Sequence, residues 1–393
     1  MIQHVSLLVP GLCRGGMTRA YVLAGALRTI GVRAEIIGAL PDGEQVYPEP
    51  PAGVRVIAIP ERTFAQRVLD TQDAATGDAL YAVKARASSL GVAMLIRRGR
   101  PVLVDVDDWE PSFPRPGRTP RHDVLRRAYR WQRRARNPDH PRYSRWMESL
   151  LPLADAVTAN TRFLVDRYGA TYLPSGKDTA LFDPARHDAG AARRWLGLDG
   201  YRVIMFPGTA REHKGLHDVA SALRVLAWPD ARLVLVGGRE AGDPLAAQLG
   251  EQYPDLVVRL GRFSSADMPR VVAAAHVVVA AQRDTPSARA QFPMKLTDAM
   301  AMAKPIVTTR VGDIPEVLHD AAYLVAPASS QEIAAALAAI FADPDEARRR
   351  GDSARQRCID TASLDHIGTL LRPLLDRLSR RKGSRRHERS WMH

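Results

Sequence analysis

"RVIMFPGTAREHKGL", residues 202–216, opens as an apolar run, breaks at Pro207 and Gly208, and then presents two cations, Arg211 and Lys214. A short apolar run stopped by glycine and followed by helical periodicity reads as strand, loop and helix. The helix starting near Gly215 has free N–H groups and a partial positive charge at its first turn, which suits an anion. Arg211 adds a planar fork of donors and Lys214 a mobile point charge. Gly208 lets a ligand come close to the backbone. Read alone, the junction is either a diphosphate site or an ordinary basic surface turn.

Outward from this stretch, short apolar runs alternate with helical ones. In the second half the candidate strands are 202–208, 231–238, 256–261, 276–282, 304–310 and 321–326; in the first half they are 4–10, 33–39, 54–60, 101–107, 155–160 and 170–174. Most are continuous apolar runs, as expected of parallel strands covered on both faces. Amphipathic segments such as 18–31 and 264–275 lie between them. The alternation predicts an α/β chain with two doubly wound Rossmann-like domains and an inter-domain cleft as the default ligand site. The Pro-, Gly- and Asp-rich stretch 173–188 marks the boundary. The expected division is residues 1–180, residues 181–362, a helix at 363–382 able to cross back to the first domain, and a basic, disordered tail at 383–393.

Bulk composition agrees. A chain of 393 residues suits two domains, and 46% hydrophobic residues supply ordinary cores. Two cysteines, Cys13 and Cys358, exclude a disulfide framework and fit a reducing, cytoplasmic compartment. The opening "MIQHVSLLVPGL" lacks a basic flank and reads as a buried strand rather than a signal peptide. No run approaches the roughly 18 apolar residues of a membrane span. The net charge of +13 gathers in 115–146 and 377–393, which would attract polyanions or an anionic membrane, or simply form a solvated face.

Two further stretches bear on the ligand. "VPGLCRGGMTRA" (9–20) follows the first strand; Gly15 and Gly16 would supply a tight turn and bare N–H groups. Its glycine spacing fits neither a dinucleotide fingerprint nor a P-loop. In "QRDTPSARAQFPMKLTDAM" (282–300), Leu296, Ala299 and Met300 form a buried stripe, while Lys295 and Asp298 share another face. A carboxylate there could accept both hydroxyls of a ribose, or merely pair with Lys295.

Taken together these stretches resemble the GT4 family of retaining glycosyltransferases, which have the GT-B fold. "GTAREHKGL" (208–216) is similar to the family's diphosphate-gripping loop, and "PMKLTDAMAMAKPIVTT" (293–309) to its P-x-K-x-x-E-x-M-A-x-x-K-P-V-V element, here with Asp in place of Glu. "LPSGKDTALFDP" (173–184) resembles its P-N-G-V-D…F-x-P segment and "PGLCRGG" (10–16) its glycine loop. The resemblance implies that Arg211 and Lys214 bind the diphosphate and that Asp298 holds the ribose, with Gly15, Gly16, Gly208 and Lys295 around the donor. Ala290 stands where the family's first Glu would be, and Asp284, in a D-T-P loop, is the candidate to replace it. Where many members have a histidine after the fourth strand, this chain has "VLVDVDDWEP" (102–111); Asp107 and Asp108 could orient the acceptor hydroxyl or take its proton, or cap a helix. Trp109 is either a sugar platform or core.

The implied reaction moves a sugar from a nucleoside-diphosphate donor to an acceptor hydroxyl with retention, without a metal or other cofactor. The acceptor is a small molecule, a glycan or a lipid-linked intermediate, and nucleic acid is not expected as a partner. Two rival readings stand beside it. Asp105-Val-Asp107 is literally D-x-D, the metal-chelating motif of another glycosyltransferase fold. The basic segments, with Tyr129, Trp131, Tyr143 and Trp146 interleaved, could instead mark a nucleic-acid- or membrane-binding protein without transferase activity.

Overall fold

The computed structural model describes residues 1–13, 16–112, 137–237 and 243–390, with 381–390 as backbone alone. The chain divides into two units, Met1–Leu173 with Ile367–His393, and Pro174–His366. The division thus falls at 173/174, several residues before the expected 180/181.

The first unit holds a seven-stranded sheet. Its strands are β1 (His4–Leu8), β2 (Arg33–Leu40), β3 (Arg55–Pro60), β4 (Ala79–Val83), β5 (Val102–Val106), β6 (Ala156–Ala159) and β7 (Thr171–Tyr172), in the order β3-β2-β1-β4-β5-β6-β7. All pairings are parallel. β4 and β5 are buried along their whole length, which is why they carry apolar residues on both faces. β4 is absent from the strands expected from the sequence: "ALYAV" is short, rich in alanine and followed by Lys-Ala-Arg, which imitates a helix.

The second unit holds six parallel strands: β8 (Arg202–Pro207), β9 (Ala231–Val236), β10 (Val257–Arg259), β11 (Val277–Ala280), β12 (Ile306–Thr309) and β13 (Tyr323–Val325). Their order is β10-β9-β8-β11-β12-β13. Each corresponds to one of the six apolar runs. Helices cover both faces, with Phe206, Leu233, Val279 and Leu337 in one core layer and Met205, Val234, Val278 and Leu296 in the other.

The last helix, Leu364–Ser390, runs beyond residue 382, where the sequence suggested a disordered tail. It packs on the first unit: Ser379 Oγ accepts from the Ile2 N–H at 3.0 Å, and the Arg372 guanidinium donates to the Ile30 carbonyl at 2.5 Å. A Cβ at Gly368 would stand 2.4 Å from Thr29 Oγ1, so only glycine permits this close approach. Among the described residues no helix is long and apolar enough to cross a membrane.

Candidate active site

In the second sheet the strand order reverses between β8 and β11. Loops that follow two such strands flank a crevice at their carboxyl ends, the usual ligand position of a doubly wound sheet. The loop after β8 begins at Gly208 (φ +145°), in a region that favours glycine, and a Cβ there would stand 3.6 Å from the Lys295 ammonium. At Gly215 (φ +66°) a Cβ would stand 2.0 Å from the Ala281 carbonyl oxygen, so any other residue would push the loop off the end of β11. The Arg283 N–H donates to the His213 carbonyl at 2.9 Å and ties the two loops together.

Lys214, in the short turn Glu212–Lys214, points across this junction. Its ammonium donates to Gln282 Oε1 at 2.8 Å and to Gln291 Oε1 at 3.4 Å. Arg211 is exposed and donates to the Ala210 carbonyl at 3.0 Å. Lys295, in helix Met294–Ala301, lays its ammonium 4.5 Å from the centre of the Phe206 ring. Among the described residues nothing hydrogen-bonds it. Burial pushes its pKa down to about 8, against the opposing pull of the Asp298 charge. A buried cation without an anionic partner is costly and is relieved by an incoming anion.

Asp298 lies one turn further along the same helix. Its carboxylate does not pair with Lys295; it contacts the Lys177 ammonium, and both side chains are nearly buried. Lys177 was not singled out from the sequence. The available signal was its place in "PSGKD", where the resemblance has valine. Asp284 is engaged in a two-point ion pair with Arg289 (2.6 and 2.7 Å) on the surface. That pairing holds its carboxyl below the ordinary range. Ala290 is fully buried.

The first sheet reverses between β1 and β4. Gly16 (φ +112°) enters helix Met17–Thr29 on one side; Gly15 lies outside the described residues. On the other side, the residue after β4 is Lys84, another group missed from sequence because its strand was missed. Its backbone is left-handed (φ +71°), uncommon for a residue with a Cβ. Two bonds hold it there: the Lys84 N–H donates to the Asp105 carbonyl at 2.8 Å, and Ser89 Oγ donates to the Lys84 carbonyl at 2.7 Å. A Cβ at Gly16 would stand 3.5 Å from Lys84 Cε.

The Lys84 ammonium contacts Asp107 Oδ1 at 2.8 Å, the Asp108 carboxylate, and Glu110 Oε1 at 3.9 Å. Arg86 clamps Glu110 with bonds of 2.9 and 2.8 Å. Burial works against the Lys84 charge, but Asp107, Asp108 and Glu110 outweigh it and push its pKa up. The Asp107 carboxyl is raised to about 6, first by burial and then by Asp108 and Asp105, with Lys84 opposing. It would therefore change charge in a range useful for moving protons.

The D-x-D pair does not converge. Asp105 is fully buried and spends both oxygens on Arg19 (2.8 and 2.9 Å), with Thr158 Oγ1 donating to it at 2.7 Å. Tyr81 meets the same threonine at 2.7 Å, so Asp105 fastens strands while Asp107 faces Lys84. Trp109 is packed rather than bare: Phe163 lies 5.5 Å away, Arg167 sits 4.3 Å from its ring centre, and its indole N–H donates to Glu148 at 3.1 Å. The basic stretch 115–146 is described only from residue 137.

Residues 201–343 match the family model described as Glycosyl transferases group 1. That span contains β8 to β13 and the cationic group after β8. The chain is 30% identical over 235 residues to an MMP alpha-(1->4)-mannosyltransferase of Mycolicibacterium hassiacum, covering 58% of this chain and 53% of that one. It is 31% identical over 253 residues to an alpha-maltose-1-phosphate synthase of Mycolicibacterium smegmatis, covering 57% and 64%. The match thus spans between half and two thirds of the length of these two relatives. A glycogen synthase of Mycobacterium tuberculosis is 27% identical over 388 residues, covering 91% and 89%.

Among solved structures, the sucrose-phosphate synthase of Thermosynechococcus elongatus superposes with a TM-score of 0.70 at 19% identity, covering 96% of this chain and 99% of that one. Anabaena HepE, in complex with UDP and glucose, superposes with 0.68 at 18% identity, covering 96% and 100%. These likenesses show the GT-B fold class: two Rossmann-like units with parallel sheets.

Proposed function

We propose that the protein is a GT4-type retaining glycosyltransferase that moves a sugar from a nucleoside-diphosphate donor to an acceptor hydroxyl without a metal or other cofactor. One observation carries the reading: at the strand reversal of the second unit, Lys295 is half-buried beside Gly208 with no hydrogen-bonding partner among the described residues, and Lys214 and Arg211 stand on the adjoining loop. Cations on a glycine-bounded loop fit a diphosphate, and a structural relative is seen with UDP and glucose.

As the donor's C–O bond breaks, positive charge grows on the anomeric carbon and negative charge on the departing phosphate. Arg211, Lys214 and Lys295 stabilise that anion, a fixed electrostatic contribution that needs no further reorganisation. Asp298 holds the ribose. In the first unit, Asp107 and Asp108 serve the acceptor; Asp107, with its pKa near neutrality, takes the hydroxyl proton or orients the hydroxyl while the departing phosphate takes it. Attack from the leaving-group face retains configuration. The acceptor is a small molecule, glycan or lipid-linked intermediate. Two cysteines outside any disulfide fit a reducing, cytoplasmic setting, and the basic segments offer contact with an anionic membrane.

The test is a thermal-shift panel of UDP, GDP, TDP and ADP on the wild type and on Arg211→Ala and Lys214→Ala. One nucleotide should stabilise the wild type by about 2.7 kcal/mol at a hundredfold its Kd. Both variants should lose that shift, and sugar transfer with it, while unfolding as cooperatively as the wild type. Equal shifts in all three proteins would remove the assignment.

A further inference from the structure

Two departures from the family pattern, far apart in the chain, meet in space. Lys177 stands where the resemblance has valine and Asp298 where it has glutamate, and their charged groups touch. The contact is built on both sides. The Lys177 N–H donates to the Ala362 carbonyl at 2.9 Å, and its backbone bridges to Ser363. Its ammonium lies 4.4 Å from the centre of the Phe182 ring. Arg355 fixes that segment by donating to the Phe182 carbonyl at 2.8 Å and to Asp183 Oδ1 at 3.2 Å. On the other side, Asp298 is fixed by a helix whose neighbouring residues Leu296, Ala299 and Met300 are fully buried.

We infer that Lys177 is a positioning and specificity-determining residue for the nucleotide ribose. This rests on the donor reading above. Aspartate is one methylene shorter than glutamate, so it reaches less far and has fewer rotamers. A lysine in ion-pair contact with it restrains the carboxylate and adds N–H donors of its own. A free carboxylate only accepts, whereas the Lys177–Asp298 pair both accepts and donates. It therefore suits a vicinal diol in which one hydroxyl donates to Asp298 and the oxygen of the other accepts from Lys177. The nearly buried pair is costly to keep as simple packing, since apolar residues would fill the same volume at no desolvation cost. The same helix turn carries Lys295, which reaches the phosphate loop at Gly208. Ribose and diphosphate contacts are thereby set on one rigid element.

The experiment measures Kd for UDP, GDP and ADP and for their 2′-deoxy and 3′-deoxy forms by calorimetry. Proteins are the full chain, Lys177→Met, Lys214→Ala, and Lys177→Val alone and combined with Asp298→Glu. Wild type should prefer the ribose form of its nucleotide by about tenfold or more, because a site built to bond a hydroxyl rejects the analogue lacking it. Lys177→Met should bring the preference to about twofold or less, as expected when one of these bonds is lost. Lys214→Ala should weaken ribose and deoxy forms alike. The double variant, Lys177→Val with Asp298→Glu, should regain the preference that Lys177→Val alone loses. That rescue also guards against a single variant that merely folds poorly.

A preference unchanged in Lys177→Met, or equal losses for ribose and deoxy forms, would overturn the inference. So would a wild type that binds a nucleotide through Lys214 but ignores the hydroxyls, and that result leaves the transferase reading standing. If the wild type binds none of the nucleotides, the transferase reading falls and this inference falls with it.

Discussion

The two sheets reverse strand order at equivalent places, yet the charges gathered there are handled in opposite ways. In the first unit, Lys84 is surrounded by Asp107, Asp108 and Glu110, and each carboxylate has a cation within reach. In the second, Lys295 is half-buried with no carboxylate in ion-pair contact among the described residues, and Lys214 donates to neutral amides. A charge balanced inside the protein stabilises the fold and tunes protons. A charge left unbalanced costs stability and is available to a ligand. Similar architecture thus supports two kinds of chemistry, and whether the charge is compensated tells them apart.

The sharpest way to break this contrast is Lys84→Met. Removing the cation takes from the largely buried Asp107 carboxylate its 2.8 Å partner, so stability at pH 7 should fall by about 3–5 kcal/mol. Part of that loss should return as the pH falls and Asp107 takes a proton, which it does more readily in the variant because Lys84 no longer holds its pKa down. Urea titrations at pH 7 and pH 5 would show it, and an unchanged midpoint at pH 7 would erase the distinction between the units.

Lys295→Met should do the reverse, with smaller size. It removes a desolvated ammonium and keeps the packing on Phe206, so stability should rise by about 0.5–2 kcal/mol while donor affinity falls. The sign follows from linkage. Native Lys295 titrates near pH 8 against an ordinary 10.5, so its cost is full below pH 8 and fades as pH rises toward 10.5. The advantage of the variant should shrink over the same range. A loss of stability at pH 7 would mean that Lys295 is compensated after all.

The smallest effect concerns the ligand. If the diphosphate needs Lys295 charged, its apparent Kd rises with the fraction of neutral lysine. From a pKa of about 8, affinity should be about fourfold weaker at pH 8.5 than at pH 7. Binding near pH 8 should also take up protons, seen as a calorimetric heat that depends on the buffer. A flat profile would assign the phosphate grip to Arg211 and Lys214 alone.

How much of this was legible depends on the range over which each signal acts. The six strands of the second unit stand out because both faces are covered and each becomes a continuous apolar run. Arg211 and Lys214 were marked as candidates by a local pattern of strand, glycine and helix, and Lys295 by its place off a helical apolar stripe. β4 was not, because "ALYAV" followed by Lys-Ala-Arg has the alanine content and charge spacing of a helix, and only its central place in the sheet makes it a strand. Lys84 was lost with it. The Lys177–Asp298 contact was illegible for another reason: no local propensity links positions 177 and 298, and only the packed second unit brings them together. Asp105, Asp107 and Asp108 were visible as a cluster. Their division into a strand fastener and a lysine-bound pair depended on the buried neighbours Arg19 and Lys84.

The helix that begins at Leu364 returns the chain to the first unit after the second has been traversed. On the ribosome, residues 174–366 emerge as a continuous stretch, whereas the first unit waits for its closing helix until that stretch has been made. Until then Ala26, Thr29 and Ile30 lie bare to solvent where Gly368 and Arg372 will later dock. The unit begun earlier is therefore completed later, and chaperone demand should peak during synthesis of residues 174–366.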